Sequence, residues 1–536
     1  MPEIPTIPRD HQHTTGWVTH ILLTGLFLLG FLGRIIPLLD PNRVFTQWAT
    51  EDGYLTLTIA RNIALGRGMT VSAGTVETNG TQPLATFTYA VGFLLAEGDR
   101  WWGVLFAHIY QLAIFLLAAW LLYQLTSRVL AGSNLPRWVG PMAVAFWYTG
   151  GPLTGHAING LETSTYLATL ILSILVWHRW VIDGRPGWAT PGPWLVGLSL
   201  GLVAWARIDA VLFILALTIW HGLYRLGTRR AYLVTAFSES MIMGCTAAAV
   251  VSPWLISNKI RFDRFTPISG VAQSASASFA SNLTTVPAKL SEYATGVLLI
   301  PSSLETRPAV MALCWVVVAA ILLITLINWH RLTPAARLFA GLGIAASAIY
   351  VSYYGLFFGA EHFIARYLAP LSIFLVLVTP LLLAWMSARL GQLGRFLPIV
   401  ALLLAIVISS GFYWRSYQQG TNNGHFQSVD WVKANVSQDT WVGAVQTGTL
   451  GFFHEQTRNL DGKVDPVALQ HVLDGTIPQY IADSDIDVLA DWASLSVWTR
   501  HQPIADNFDL IVNDTNLNLA VFTRKGFVVL TPPTTP

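Results

Sequence analysis

Apolar runs alternate with polar loops along most of the chain. The runs lie near 17–39, 101–125, 138–156, 161–182, 193–206, 210–224, 233–256, 310–329, 338–358, 367–388 and 396–414. Most approach the roughly 20 residues that a helix needs to cross a bilayer. The two runs flanking Arg207 are shorter and predict tilted or broken helices. A further apolar run, 83–96, is marginal for a crossing. The pattern predicts about eleven spans, with 83–96 as a re-entrant or interfacial helix.

Arginines give these spans a direction, because cytoplasmic loops are enriched in Lys and Arg. Arg128 with Arg137, Arg179 with Arg185, Arg225 with Arg229 and Arg230, Arg331 with Arg337, and Arg389 with Arg395 fill every second loop. Those loops are predicted inside, and the N-terminus with them. Loops 40–100, 157–160, 207–209, 257–309 and 359–366, and the tail after 414, then fall outside. A crossing at 83–96 would turn the arginine loops outward. The polar lead MPEIPTIPRDHQH precedes a run too long for a signal-peptide core and without a small-x-small cleavage pattern, so a retained first span is expected.

The tail reads differently. Helix-like stretches at 428–436, 466–474 and 477–483 are interspersed with strand-like runs at 441–446, 487–489, 510–512 and 519–523. The fold class expected is an α-helical polytopic membrane protein over residues 1–414, followed by a small extracytoplasmic α/β domain over 415–536. No internal repeat stands out.

Composition agrees with the pattern. Of 536 residues, 53% are hydrophobic and 11% charged, against roughly 25% charged in soluble domains. A net charge of +2 argues against nucleic acid as a partner. Cys245 and Cys314 both lie in apolar runs and imply no disulfide framework.

Ionisable residues beside a bilayer are costly and mark function. The first outer loop opens on Glu51 and Asp52. Leu55, Ile59 and Ile63 then recur at helical spacing, which predicts an interfacial helix with Asp52 at its N-cap. An ionised carboxylate there can act as a base or hold a divalent cation. It can equally be only a cap, and Glu51 only a solvated charge. A Gly-rich hairpin-like segment and the turn Thr78-Asn79-Gly80-Thr81 follow; the turn also fits the N-x-Thr glycosylation pattern. Glu162, Arg207, Asp209, Glu361, His362 and Arg366 gather at other predicted outer ends. Singly, Glu162 can cap a helix, Arg207 and Asp209 can pair across a helix break, and His362 can be a surface histidine. Together they face one surface, and arginine suits phosphate through its planar fork.

These residues resemble a family. Glu51-Asp52-Gly53-Tyr54, Ala60-Arg61-Asn62, Gly66-Arg67-Gly68 and Thr78-Asn79-Gly80-Thr81-Gln82-Pro83-Leu84 are similar to the first-loop pattern of the GT-C integral-membrane glycosyltransferases. The branch resembled includes protein mannosyltransferases, aminoarabinose transferases and mycobacterial arabinofuranosyltransferases. Gly160-Leu161-Glu162-Thr163, Ala206-Arg207-Ile208-Asp209 and Ala365-Arg366-Tyr367-Leu368-Ala369-Pro370 extend the likeness, as do Gly448–Phe453 and Asn459-Leu460-Asp461-Gly462 in the tail.

The resemblance implies an inverting transfer from a polyprenyl-phosphate-linked sugar to a glycan, lipid or protein acceptor, at the outer face of a bacterial plasma membrane. It implies catalysis by a first-loop acid, Asp52 or Glu51, and a donor phosphate held by Arg207 or Arg366. Tyr54, Asn79, Glu162, Asp209, Glu361, His362 and Tyr367 are the expected substrate contacts. No cofactor is required; a divalent cation, if used, would draw on Glu51, Asp52 and Glu162. Many relatives carry two aspartates where this chain has Glu51-Asp52, which leaves the identity of the base open. A transporter or flippase and a non-catalytic envelope-assembly subunit are the rival readings.

Overall fold

The computed structural model describes residues 12–227, 233–275, 277–300, 304, 307–420 and 425–530. Residues 1–11 of the polar lead, and Arg229 and Arg230, lie outside the described residues. Among the described residues, nine helices are long and apolar enough to cross a membrane. The protein is an integral multi-pass membrane protein.

The first helix, α1 (Gln12–Ile35), leads by a short 3-10 turn into the first loop. That loop holds α2 (Glu51–Ala64), the two-residue strands β1 (Thr70–Val71) and β2 (Val76–Glu77), and α3 (Pro83–Leu95). The hairpin expected from its glycines is present, with β1 and β2 antiparallel. α3 has 13 residues and exposes Val91, Leu94 and Leu95 on one face, as a short interfacial helix would.

α4 (Arg100–Val129) follows, then α5 (Val139–Thr149) and α6 (Gly151–Ala157). The run 138–156 was expected as one helix. It is two, because Gly150 leaves helical geometry (φ −57°, ψ 126°) and Pro152 opens the second piece. α7 (Thr163–Asp183), α8 (Pro191–Ala206), α9 (Val211–Gly227) and α10 (Leu233–Phe262) complete a first bundle. Arg207 is extended (φ −153°, ψ 131°) between α8 and α9, at the break the sequence predicts. α10 packs on α8, α7 on α4 and α8.

The loop after α10 is itself helical, with α11 (Ile268–Ser274) and α12 (Thr285–Val297). α13 (Pro308–Ile327) and α14 (Pro334–Leu356) are long. The run 367–388 is segmented into α15 (Ile364–Leu368), α16 (Ser372–Leu375) and α17 (Val378–Arg389), with a 3-10 turn at Ala369–Leu371. α18 (Leu397–Gln419) packs against α1.

The tail contains α19 (Phe426–Asn435), β3 (Val442–Ala444), α20 (Gly448–Phe453), β4 (Thr457–Asn459), α21 (Pro466–Asp474), α22 (Ile477–Asp483), β5 (Val488–Asp491), α23 (Gln502–Asn507), β6 (Phe508–Asp514) and β7 (Leu519–Arg524). Its sheet has the order β4-β3-β5-β7-β6, parallel on the β4 side and antiparallel on the β6 side. The short strand β4 was missed from sequence. Val442, Ala444, Val488, Ala490 and Val521 fill one core face and Leu489, Ala520 and Phe522 the other.

α2 joins the tail to the bundle. It packs on α3 on one side and on α20 on the other. The interfacial face expected at Leu55, Ile59 and Ile63 needs correction: Ile59 is fully buried, and Tyr54, Leu57 and Ala60 are buried on the opposite side with Phe93 and Phe452. A helix clamped between two layers buries more than one stripe.

Candidate active site

The start of α2 is built by its cap and by close backbone contacts. Thr50 is the N-cap, accepting from Gly53 N (3.3 Å). The expectation that Asp52 is the cap is corrected: Asp52 is the second helical residue. Thr50 N donates to Asn159 O (3.0 Å) in the second predicted outer loop. Gly53 sits so close that a Cβ would lie 2.2 Å from Asn159 O. From the tail, Gly448 approaches until a Cβ would lie 1.8 Å from Glu51 O. Three distant segments therefore pin one helix start.

Glu51 and Asp52 diverge in role. Glu51 is 6% exposed, and its Oε1 accepts from Gly448 N. Burial pushes its carboxyl well above the usual carboxylate range, and the adjacent Asp52 charge pushes the same way; Lys463 and the Gly448 N–H oppose this without reversing it. Asp52 keeps a partly open carboxylate. Its Oδ2 lies 3.4 Å from Arg366 Nη1, and its Oδ1 4.0 Å from Lys463 Nζ.

Lys463 was missed in sequence, where it is one lysine in a loop of the tail. It also pairs with Asp461 at 2.9 Å. Burial disfavours its charge, but Asp461, Asp52 and Glu51 outweigh that and raise its pKa. Its carbonyl abuts the first-loop turn: a Cβ on Gly80 would lie 2.1 Å from Lys463 O. The Asn459-Leu460-Asp461-Gly462 motif pointed to this loop without naming the lysine. His362 is exposed at the rim. Burial and the Lys463 charge hold its pKa below the usual imidazole value, while Asp52 and Glu361 pull it up.

Arg207 lies deeper. It is 1% exposed and forks onto Asp209, with Nε to Oδ1 and Nη2 to Oδ2 both at 2.9 Å. Its Nη1 donates to Glu162 Oε1, itself 4% exposed. Tyr354 donates to Asp209, and the Arg207 guanidinium lies 4.5 Å from the Tyr367 ring centre. The Arg366 guanidinium lies 5.5 Å from the centre of the same ring. The two cations that the sequence proposed as phosphate ligands thus both lie near the Tyr367 ring, and its hydroxyl donates to Gln273.

Several expected contacts are elsewhere. Tyr54, expected at substrate, is fully buried; it donates to Phe45 O (2.7 Å) and packs on Phe452 and Phe453. Asn79 is fully buried, with Oδ1 accepting from Ile268 N (3.0 Å), so its N-x-Thr pattern is not an accessible glycosylation site. Tyr54 is corrected to scaffold, while the buried Nδ2 of Asn79 has no hydrogen-bond partner among the described residues. Glu361 is exposed, with Thr285 donating to it at 3.4 Å. The residues named for a divalent cation do not fit one as they stand. Glu51 is tied to Gly448, Glu162 to Arg207, and Asp52 lies between two cations. Among the described residues, no group of three or more His, Cys, Asp or Glu could hold a metal.

No family model matches the sequence, and no curated protein matches it. Solved structures do match. ArnT from Cupriavidus metallidurans bound to undecaprenyl phosphate is similar with a TM-score of 0.58 at 11% identity, over 95% of this chain and 98% of that one. The archaeal oligosaccharyltransferase AglB from Archaeoglobus fulgidus, in complex with an inhibitory peptide and a dolichol-phosphate, is similar with a TM-score of 0.53 at 11% identity, over 91% of this chain and 70% of that one. Identity this low speaks for architecture alone: the protein has the fold of these two proteins.

Proposed function

We propose that the protein is an inverting glycosyltransferase that moves a sugar from a polyprenyl-phosphate carrier to a glycan, lipid or protein acceptor of the envelope. It works at the outer face of the bacterial plasma membrane, with the tail in the extracytoplasmic space. The observation that carries this reading is Asp52, a partly open carboxylate where the first loop, the 359–366 loop and the tail meet. Two similar folds were solved with polyprenyl-type phosphates bound, undecaprenyl phosphate in one and dolichol-phosphate in the other.

The chemistry follows from these groups. Asp52 takes the proton of the acceptor hydroxyl. The acceptor oxygen bonds to the anomeric carbon from the side opposite the phosphate. The bond between that carbon and the phosphate oxygen breaks, and its electron pair leaves on the prenyl phosphate. Fixed cations aimed at a leaving group stabilise the charge that develops there. Arg366 and Lys463 supply it. Arg207 is reassigned from phosphate ligand to positioning residue, because its guanidinium is already forked onto Asp209 and Glu162. Glu51 holds the tail against α2 and is not the base.

Incubating purified protein with a panel of polyprenyl-phosphate sugars, and following prenyl phosphate release, tests the reading. Release that Asp52→Asn abolishes supports it. Donor binding without release would favour the envelope-assembly subunit. A flippase would carry ionisable residues along a path through the bilayer; here Asp52, Arg366, Arg207 and Glu162 gather at one end, which favours the transferase.

A further inference from the structure

Where the first loop, the start of α4 and the tail meet, three guanidiniums share one carboxylate. We propose that Arg61, Arg67 and Arg100 form an anion site that takes the phosphate of an anionic phospholipid from the leaflet on the predicted outer side.

Arg61 Nη1 and Arg100 Nη2 donate to Glu455 Oε1 (2.7 and 3.0 Å), and Arg67 Nη1 donates to Oε2 (2.8 Å). A single carboxylate neutralises only one of these charges. Asp99 and Glu97 lie on the adjoining turn, but among the described residues neither pairs with the three arginines. Asp99 is engaged as the cap of α4, accepting from Trp102 N (2.9 Å). Backbone carbonyls fix two of the guanidiniums: Arg61 Nε donates to Gly98 O and Arg100 Nε to Phe452 O, both at 2.8 Å. Each guanidinium keeps an unused edge. Arg61 Nη2, Arg67 Nη2 and Arg100 Nη1 have no hydrogen-bond partner among the described residues. Those edges can be reached. Arg61 Nη2 and Arg100 Nη1 are not sealed, and the Arg67 side chain is 35% exposed. A phosphate offers several oxygens at once, and planar guanidinium forks suit it.

The placement selects a lipid. α4 has 30 residues, about 45 Å at 1.5 Å per residue, so it outreaches a hydrocarbon core of about 30 Å and its ends stand among headgroups. Arg100 is its first residue. Exposed apolar side chains bracket Arg100 in the chain, Leu94 and Leu95 at the end of α3 and Trp102 in the first turn of α4. Tryptophan favours the membrane–water interface. Cations at that level attract anionic headgroups. The cluster is also separate from the proposed donor site. Arg61 follows Asp52 along α2 by a length of about 14 Å at 1.5 Å per residue.

The test follows hydrogen exchange of the full-length protein in detergent while short-chain phosphatidylglycerol, phosphatidylcholine or inorganic phosphate is added. Phosphatidylglycerol should slow exchange at 65–70, 96–101 and 453–457, at concentrations where phosphatidylcholine does not. Arg67→Gln should raise the concentration for half-protection about fivefold, the worth of one cation at a membrane surface. Glu455→Gln removes the competing carboxylate and should lower it. Arg500→Gln, an exposed tail arginine outside the cluster, should leave it unchanged. Equal protection by phosphatidylcholine, or an equal effect of Arg67→Gln and Arg500→Gln, would overturn the site. Protection by inorganic phosphate equal to that by phosphatidylglycerol would overturn the lipid assignment. Should a variant fail to fold, the three additions to the parent protein decide. These readouts do not involve sugar transfer, so their failure leaves the proposed reaction standing.

Discussion

Asp52 Oδ2 and Arg366 Nη1 lie 3.4 Å apart, from residues 314 positions distant in sequence. A charge-assisted hydrogen bond is ordinarily about 2.7–2.9 Å. The pair is thus in contact but looser than an ordinary charge-assisted hydrogen bond.

Asp52→Asn should lower turnover by roughly 10²–10⁴-fold, the range for losing a general base. Thermal unfolding should be unchanged, since Thr50 and not Asp52 caps α2. Prenyl phosphate release and an unfolding curve on one preparation check both halves. Unchanged turnover would remove Asp52 from the chemistry.

The two arginines should separate by phenotype. Arg366→Gln should reduce turnover while the protein remains folded. Arg207→Gln leaves the buried Glu162 and the half-buried Asp209 without their cation, and breaking a buried pair costs about 3–5 kcal/mol. That variant should fail on yield and unfolding temperature. If Arg207→Gln is stable and loses only donor binding, Arg207 is a phosphate ligand after all.

Backbone contact at the site leaves no space for a methyl group. Gly448→Ala would place Cβ 1.8 Å from Glu51 O, and Gly80→Ala 2.1 Å from Lys463 O. Neither obstacle is the end of a flexible side chain, so the tail loop must retreat. A misplacement of about 1 Å can cost on the order of 10²-fold. Turnover should drop by about that much in both variants, while Gly411→Ala, with open space around it, should lose little activity.

Glu51 makes stability depend on pH. Its folded pKa is raised above 4.5, mainly by burial. The folded state therefore holds a proton that the unfolded chain releases, and this contribution is complete below about pH 4.5 and lost as pH rises through the folded value. Glu51→Gln keeps an oxygen for Gly448 N and has no proton to lose. Its unfolding temperature relative to the parent should climb from pH 4.5 upward. A pH-independent difference would show that Glu51 is charged in the folded protein.

Glu455 should act in the opposite sense. It accepts from Arg61 (2.7 Å), Arg67 (2.8 Å) and Arg100 (3.0 Å), tying the tail to the first loop and to α4. Burial raises its pKa, but the Arg61 and Arg67 hydrogen bonds outweigh this and hold it at about 2. The contribution is present above 4.5 and lost as pH falls toward 2. Glu455→Gln should be less stable than the parent at neutral pH and approach it in acid. Unfolding curves from pH 3 to 7 give the comparison.

Much of this was legible in the residues. The long helices follow from run length, because a bilayer demands internal backbone satisfaction and about 20 apolar positions. The break at Arg207 and the gathering of Asp52, Arg366 and Arg207 at one end also followed from pattern. Tyr54 misled, because its motif lies beside the acids and a helix turns a neighbour to another face within one residue. A turn signature does not tell where the Asn79 amide points; its oxygen accepts from the backbone of Ile268. Lys463 carried no periodic or motif signal of its own.

The chain alone therefore marked the long apolar segments and the loops that carry charge, since these rest on local composition and spacing. Tertiary structure decided which acid stays open. Glu51 and Asp52 are neighbours with nearly the same chemistry, and only the approach of Gly448, Arg366 and Lys463 from remote segments separates them. Burial and Coulomb interactions depend on distance in space, and those distances exist only once the tail has docked on α2.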